Sequence, residues 1–152
     1  MTDREKTPAP PPRWFVRSVW TGHRLLFRTT GRGLSRPRPG DRMGMLRLRV
    51  QGRRTGRERA VILGYHLDGD SYVTLAMNGW AEADPAWWLN LRAHPRAEVD
   101  TLDGTFGVVG REAAGEERER LWRRFDDYRG WGDIDAFSAR RPHTPVVVLD
   151  RR

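Results

Sequence analysis

At Met45 the chain switches to a period of two: Leu46, Leu48 and Val50 alternate with Arg47 and Arg49. Successive side chains of a strand point to opposite faces, so the pattern predicts a strand with one buried face. A short turn leads to a second strand from Arg59 to His66, and Asp68-Gly69-Asp70 is a hairpin signal ahead of a third, Ser71 to Met77. Asn78-Gly79 breaks that run. Ala97 to Arg111 reads as another hairpin around Leu102-Asp103-Gly104, and Thr144 to Leu149, with three consecutive valines, as a buried closing strand. About six strands joined by hairpins, with short helices between them, predict a mainly β (α+β) fold, a small antiparallel β-barrel with peripheral helices rather than a doubly wound parallel sheet.

Helical segments interrupt this pattern at predictable places. Asp84-Pro85 supplies an N-cap and a proline for the first turn of a helix through Trp87, Trp88, Leu89 and Leu91, which His94-Pro95 closes. Glu116 to Tyr128 carries Leu121, Trp122 and Phe125 on one face behind an acidic first turn, and Trp131 to Ala139 is a shorter helix with Trp131, Ile134 and Phe137. Ahead of the barrel, residues 14–42 comprise an amphipathic helix, Trp14 to Phe27, and a Gly/Pro/Arg-rich connection; residues 1–13 read as a flexible, proline-rich tail. The barrel domain is expected over 43–152.

The net charge of +8 in 152 residues raises the question of nucleic acid, and its distribution answers it. Nine basic and two acidic residues precede Asp41; from Asp41 onward there are nineteen and eighteen. The body is close to neutral, and Lys6 is the sole lysine, so the excess looks compositional and no nucleic-acid partner is expected of the domain. The absence of cysteine excludes disulfides, thiolate metal sites and thiol catalysis, and His23, His66, His94 and His143 have no metal-ligand spacing, so no metal is expected. No apolar run reaches the length of a membrane span, and nothing near Met1 resembles a secretory signal. A cytoplasmic protein is expected, with Trp14 to Arg28 either packed on the body or lying on an anionic membrane face.

The first turn of the barrel carries the strongest chemical signal. Gln51-Gly52-Arg53-Arg54-Thr55-Gly56-Arg57-Glu58-Arg59 puts two glycines and four arginines between two strands. Glycine lets backbone N–H groups converge on an oxyanion, and the guanidinium fork matches phosphate or carboxylate oxygens. The turn reads either as a cradle for a polyanion or as a solvated hairpin. Its glycines match neither the phosphate loop of nucleoside triphosphatases nor the dinucleotide fingerprint. Asp126-Asp127 and Asp133/Asp135 are better read as caps or solvated faces than as an acid/base dyad, and Ser71 and Ser138 lack a His/Asp arrangement.

In order, a strand, Gly-Arg-Arg-Thr-Gly-x-x-Arg, a strand, an Asp-Gly-Asp hairpin, Asn-Gly, Asp-Pro-x-Trp-Trp-x-Asn-Leu-x-x-His-Pro and a terminal Pro-Val-Val-Val-Leu resemble the deazaflavin-dependent nitroreductase and quinone reductase family over Leu46 to Asp150. The resemblance implies a split β-barrel, FMN-binding-like, that binds coenzyme F420 and transfers a hydride from F420H2 to an apolar, electron-poor acceptor such as a quinone, nitroaromatic or activated enone. It implies that Arg53, Arg54, Thr55, Gly56 and Arg59 hold the phosphate and oligoglutamate tail, that Val61 and Ile62 lie against the ring, and that Met77 and Asn78 flank phosphate and ring. Ile62 stands where the family often has proline, and Asn78 where some members carry lysine. Pro85, Trp87, Asn90 and Leu91 match the helix that packs on the cofactor. Tyr128 and Trp131 match tyrosines of the substrate pocket, Tyr128 being the candidate proton donor, with Trp20 as a lid. The alternatives are an FMN-dependent reductase, and a carrier of flavin, deazaflavin or lipid without turnover; either a monomer or a homodimer is compatible with the pattern.

Overall fold

The computed structural model describes residues 33–152, so the tail, the helix expected over 14–27 and Trp20 lie outside the described residues. Six strands close into an antiparallel barrel: β1 (Gly44–Gln51), β2 (Glu58–Asp68), β3 (Ser71–Leu75), β4 (Arg96–Thr101), β5 (Gly104–Glu112) and β6 (Val146–Arg151), in the order β1-β2-β3-β6-β5-β4. β1 pairs with β2 from Gly44↔Tyr65 to Gln51↔Glu58 and with β4 through Leu48↔Val99, which closes the ring. The expected hairpins are all present.

Period-two alternation decides what fills the barrel. Leu46, Leu48 and Val50 of β1 point inward with Val99, Val108, Val147 and Leu149, and the helix α1 (Ala86–Ala93) plugs one end with Trp87, Trp88 and Leu91. The consecutive valines of β6 follow from burial on both faces. Val147 and Leu149 face the interior, while Val146 and Val148 join Val73 and Leu75 beneath α2 (Gly115–Arg124) and α3 (Ile134–Ser138). Leu121, Phe125 and Ile134 supply the helical side of this second core, each worth about 1.5–3 kcal/mol on burial.

β3 ends at Leu75 rather than Met77 and β6 runs Val146–Arg151 rather than Thr144 to Leu149, and three helix expectations change. Asp84 does not cap α1: Pro85 occupies the cap position with no side-chain bond, and the Asp84 carboxylate faces Arg141 instead. α3 starts at Ile134 rather than Trp131, because Gly130 and Gly132 take left-handed angles (φ 107 and 71) and Asp133 Oδ1 accepts from Ala136 N at 3.0 Å. α2 ends at Arg124; one tight helical turn, Phe125–Asp127, follows, and Tyr128 is already extended.

Candidate functional site

Within the closed barrel, β2 and β3 part along one seam. β2 and β3 pair only over His66↔Val73 to Asp68↔Ser71, while β3 continues along β6 to Leu75. Beyond His66 the ladder is replaced by a single side-chain bond, Thr74 Oγ1 to the Gly64 carbonyl at 2.7 Å. No strand among the described residues pairs with the second edge of β2 from Glu58 to Tyr65. A cleft of about 1010 Å³ opens along that edge, bordered by Ala60, Val61, Ile62, Leu63 and Gly64. The backbone groups of an unpaired strand edge are hydrogen-bonding partners for a planar ligand, in the way that an added strand would use them.

One end of the cleft is the arginine turn, and its shape is set by its glycines. Gly52 N donates to Arg57 O and Gly56 N to Gly52 O, both at 2.8 Å. Gly56 sits at φ 70, a region that costs a residue with a Cβ, and a Cβ on Gly52 would stand 3.0 Å from the Arg57 carbonyl oxygen. Thr55 Oγ1 accepts from Arg57 N at 3.3 Å. The turn is fastened to α1 by Asn90, whose Oδ1 accepts from Arg53 N at 3.1 Å and from Arg53 Nη1 at 2.9 Å. Arg54, Arg57 and Arg59 are exposed and form no ion pair with another described residue. In contrast, Arg49, Arg111 and Arg120 each face a carboxylate.

The far end is apolar. Met43, Met45, Gly130 and Trp131 close it, about 17 Å from Arg59 at the rise of a strand. Gly64 leaves room for this wall: a Cβ there would lie 2.4 Å from Met43 Sδ and 3.3 Å from the Trp131 ring. The third side is Met77, Asn78 and Gly79, followed by Pro85 and Trp87. Asn78, Gly79 and Trp80 all take positive φ (43, 62 and 64), and Asn78 and Trp80 are the only such non-glycine residues described.

The structure therefore brings together Arg53, Arg54, Thr55, Arg59, Val61, Ile62, Met77, Asn78, Pro85, Trp87, Asn90 and Trp131 around one cleft. Three of the expected site residues stand apart from its lining. Gly56 shapes the turn from behind. Leu91 is fully buried and packs on β5, where a Cβ on Gly110 would lie 2.4 Å from its Cδ2. Tyr128 is 6% exposed in the second core, its ring stacked on His66 at 5.5 Å, and it is not among the residues that line the cleft. Among the lining residues that sequence reasoning missed are Met43, Met45, Ala60, Leu63, Gly64, Thr74 and Gly130. Gly64 had a readable signal, since glycine inside a strand marks a close approach.

His66 is itself fully buried, edge-on to Phe125 at 4.6 Å, and its Nε2 has no partner among the described residues. Burial drives its pKa down to about 4, Leu67's carbonyl opposing and Arg124 adding to the shift. Tyr65, also buried, is pushed up to about 12, so neither group is a proton relay near neutral pH.

The F420H(2)-dependent quinone reductase family matches residues 27–151 of the sequence. The chain belongs to this family. An F420H(2)-dependent quinone reductase of Mycobacterium tuberculosis is 30% identical over 146 residues, spanning 92% of this chain and 97% of its own. Among solved structures, an F420H2-dependent reductase, FDR-A, superposes with a TM-score of 0.62 at 25% identity, over 72% of this chain and 96% of its own. A chain described as a domain-swapped dimer gives 0.64 at 25% identity, over 90% and 97%. Membership of this oxidoreductase family identifies coenzyme F420 as the cofactor, with FMN secondary, and the barrel is of the flavin-reductase type.

Proposed function

We propose that the cleft binds F420H2 with its anionic tail at the arginine turn and its ring along the free edge of β2, and that a quinone is reduced at the apolar end. The observation that carries this reading is the cleft's polarity: the Arg54 and Arg59 guanidiniums, without an ion pair among the described residues, at one end, methionine, glycine and tryptophan at the other, and between them a strand edge that no described strand pairs. The residues fit the group. Arg54 and Arg59 match phosphate and carboxylate oxygens; main-chain groups of Ala60 to Leu63 match a ring edge with carbonyls and N–H; the cleft volume accommodates a flavin-sized ring.

When bound, the reduced deazaflavin supplies a hydride, which together with a proton from water converts a quinone to its hydroquinone. The protein's share is orientation and dryness. Asn90 sets where Arg53 stands; Trp87, Ile62 and Val61 give an apolar wall; Met43, Met45 and Trp131 keep water from the acceptor end. Tyr128, the candidate donor, is not among the cleft-lining residues, which supports solvent as the proton's source.

A titration of the purified chain with F420 and, separately, with FMN tests the reading, followed by oxidation of F420H2 with menadione. Preference for FMN overturns the cofactor assignment. F420 binding without turnover on any quinone or nitro compound favours a carrier. Kinship with a chain described as a domain-swapped dimer supports a homodimer, read by light scattering. Contact of residues 14–28 with an anionic membrane surface belongs to the same proposal, and salt-sensitive co-sedimentation with vesicles reads it.

A further inference from the structure

Beside the cleft, but not open to it, lies a buried cation. Arg141, ahead of β6, has none of its side chain exposed. Its Nη1 donates to the Ala76 carbonyl at 2.5 Å and to Thr144 Oγ1 at 3.5 Å, and its Nη2 to Asp84 Oδ1 at 2.9 Å. Ala76 and Asp84 are the two feet of the loop 77–83, whose Met77, Asn78 and Gly79 line the cleft, and Pro85 and Trp87 of the next wall follow directly on the second foot.

We propose that Arg141 is a positioning residue for the cofactor: its guanidinium holds the feet of the 77–83 loop together and so fixes the wall against which the deazaflavin sits. The proposal rests on the F420 reading above. The loop is shaped internally by Asn78 Nδ2 to Ala83 O at 3.1 Å and by Ala81 N to Asn78 O at 3.2 Å, and Trp80 leans on Phe137 with ring centroids 5.6 Å apart. Three successive residues at positive φ, one of them a tryptophan, persist only where the surroundings over-determine them. Arg141 provides that from below. A planar fork reaches two acceptors in different directions at once, a carbonyl on one foot and a carboxylate on the other, and an ammonium on a flexible stem does not reproduce the geometry. An ordered wall binds better than one that must be ordered by the ligand.

Three variants test it: Asp84→Asn, which keeps an acceptor but drops the charge, Arg141→Lys and Arg141→Met. Each is measured for thermal midpoint, amide exchange within 77–83, and affinity for oxidised F420. Asp84→Asn is expected to stay folded, to exchange faster in 77–83 than in β1, and to bind F420 about tenfold more weakly. Arg141→Lys is expected to fall between wild type and Arg141→Met in 77–83 exchange and in F420 affinity, by more than its thermal midpoint alone accounts for. Folded Asp84→Asn and Arg141→Lys proteins with wild-type exchange in 77–83 and wild-type F420 affinity overturn the proposal, as does an affinity loss that merely tracks the thermal midpoint. Wild-type protein that fails to bind F420 sinks the function instead; the exchange measurement, which needs no cofactor, still decides whether Arg141 orders the loop.

Discussion

Lowering the pH should loosen this protein at His66 before the carboxylates protonate. The imidazole is fully buried between β2 and the tight turn after α2, with no partner for Nε2 among the described residues, and its pKa drops from 6.5 to about 4. The sign follows from which state binds the proton. Above about pH 6.5 both folded and unfolded chains carry neutral His66 and its stability contribution is complete. As pH falls through 6.5 the unfolded chain protonates first, and stability declines until the folded state also protonates near pH 4. At about 1.4 kcal/mol per unit, the whole interval amounts to about 3 kcal/mol, and the part between about pH 7.5 and about pH 5 to about 2 kcal/mol. Urea unfolding at those two pH values measures it. In His66→Leu, a side chain with no titration, that share of the slope disappears. A wild-type loss below about 0.5 kcal/mol, or an unchanged slope in the variant, would refute the claim that burial keeps this ring neutral. Because His66 stacks on Tyr128 and meets Phe125, early loosening should appear as faster exchange in 121–128.

Further outcomes follow from the cleft itself. Arg54→Ala and Arg59→Ala should each weaken F420 binding by about five- to fiftyfold in a fluorescence titration with thermal midpoints barely moved, since exposed unpaired arginines add little to stability. Asn90→Ala removes both bonds to Arg53 and should cost about tenfold in F420 affinity, with a modest loss of stability visible in the melt. Tyr128→Phe should leave menadione turnover within about twofold, because the hydroxyl lies outside the cleft lining; a drop of about a hundredfold would restore Tyr128 as an acid. Gly110→Ala drives a Cβ into Leu91 and should destabilise by about 1–3 kcal/mol in urea titrations without altering F420 affinity per folded molecule.

The alternation at Leu46, Leu48 and Val50 and the Asp-Gly turns made the strands readable, because both rest on local backbone geometry. Helix boundaries were read less well where a competing partner intervened: Asp84 had the composition of an N-cap, yet a residue 57 positions away claimed its carboxylate. The arginine turn was legible because glycine and arginine carry their chemistry in their identity. Its coupling to Asn90 was not, since that contact depends on how α1 seats in the barrel mouth. Tyr128 failed as a cleft residue for a related reason. Gly130 turns the chain two residues after it, and Trp131 lines the cleft while Tyr128 stacks on His66. Arg141 was one of many arginines until the fold put it between Ala76 and Asp84.

The edge of β2 that no described strand pairs has an evolutionary implication. Each non-proline residue brings the same amide and carbonyl whatever its side chain, so the proposed recognition through the main chain of Ala60 to Leu63 would tolerate most substitutions there. Substitutions at Val61 or Ile62 would then alter the wall beside the ring while leaving the main-chain contacts in place, whereas Gly64 is held by its contact with Met43. A lineage built this way can acquire new oxidants by point mutation without first losing its coenzyme. Proline is the substitution that would delete a main-chain donor.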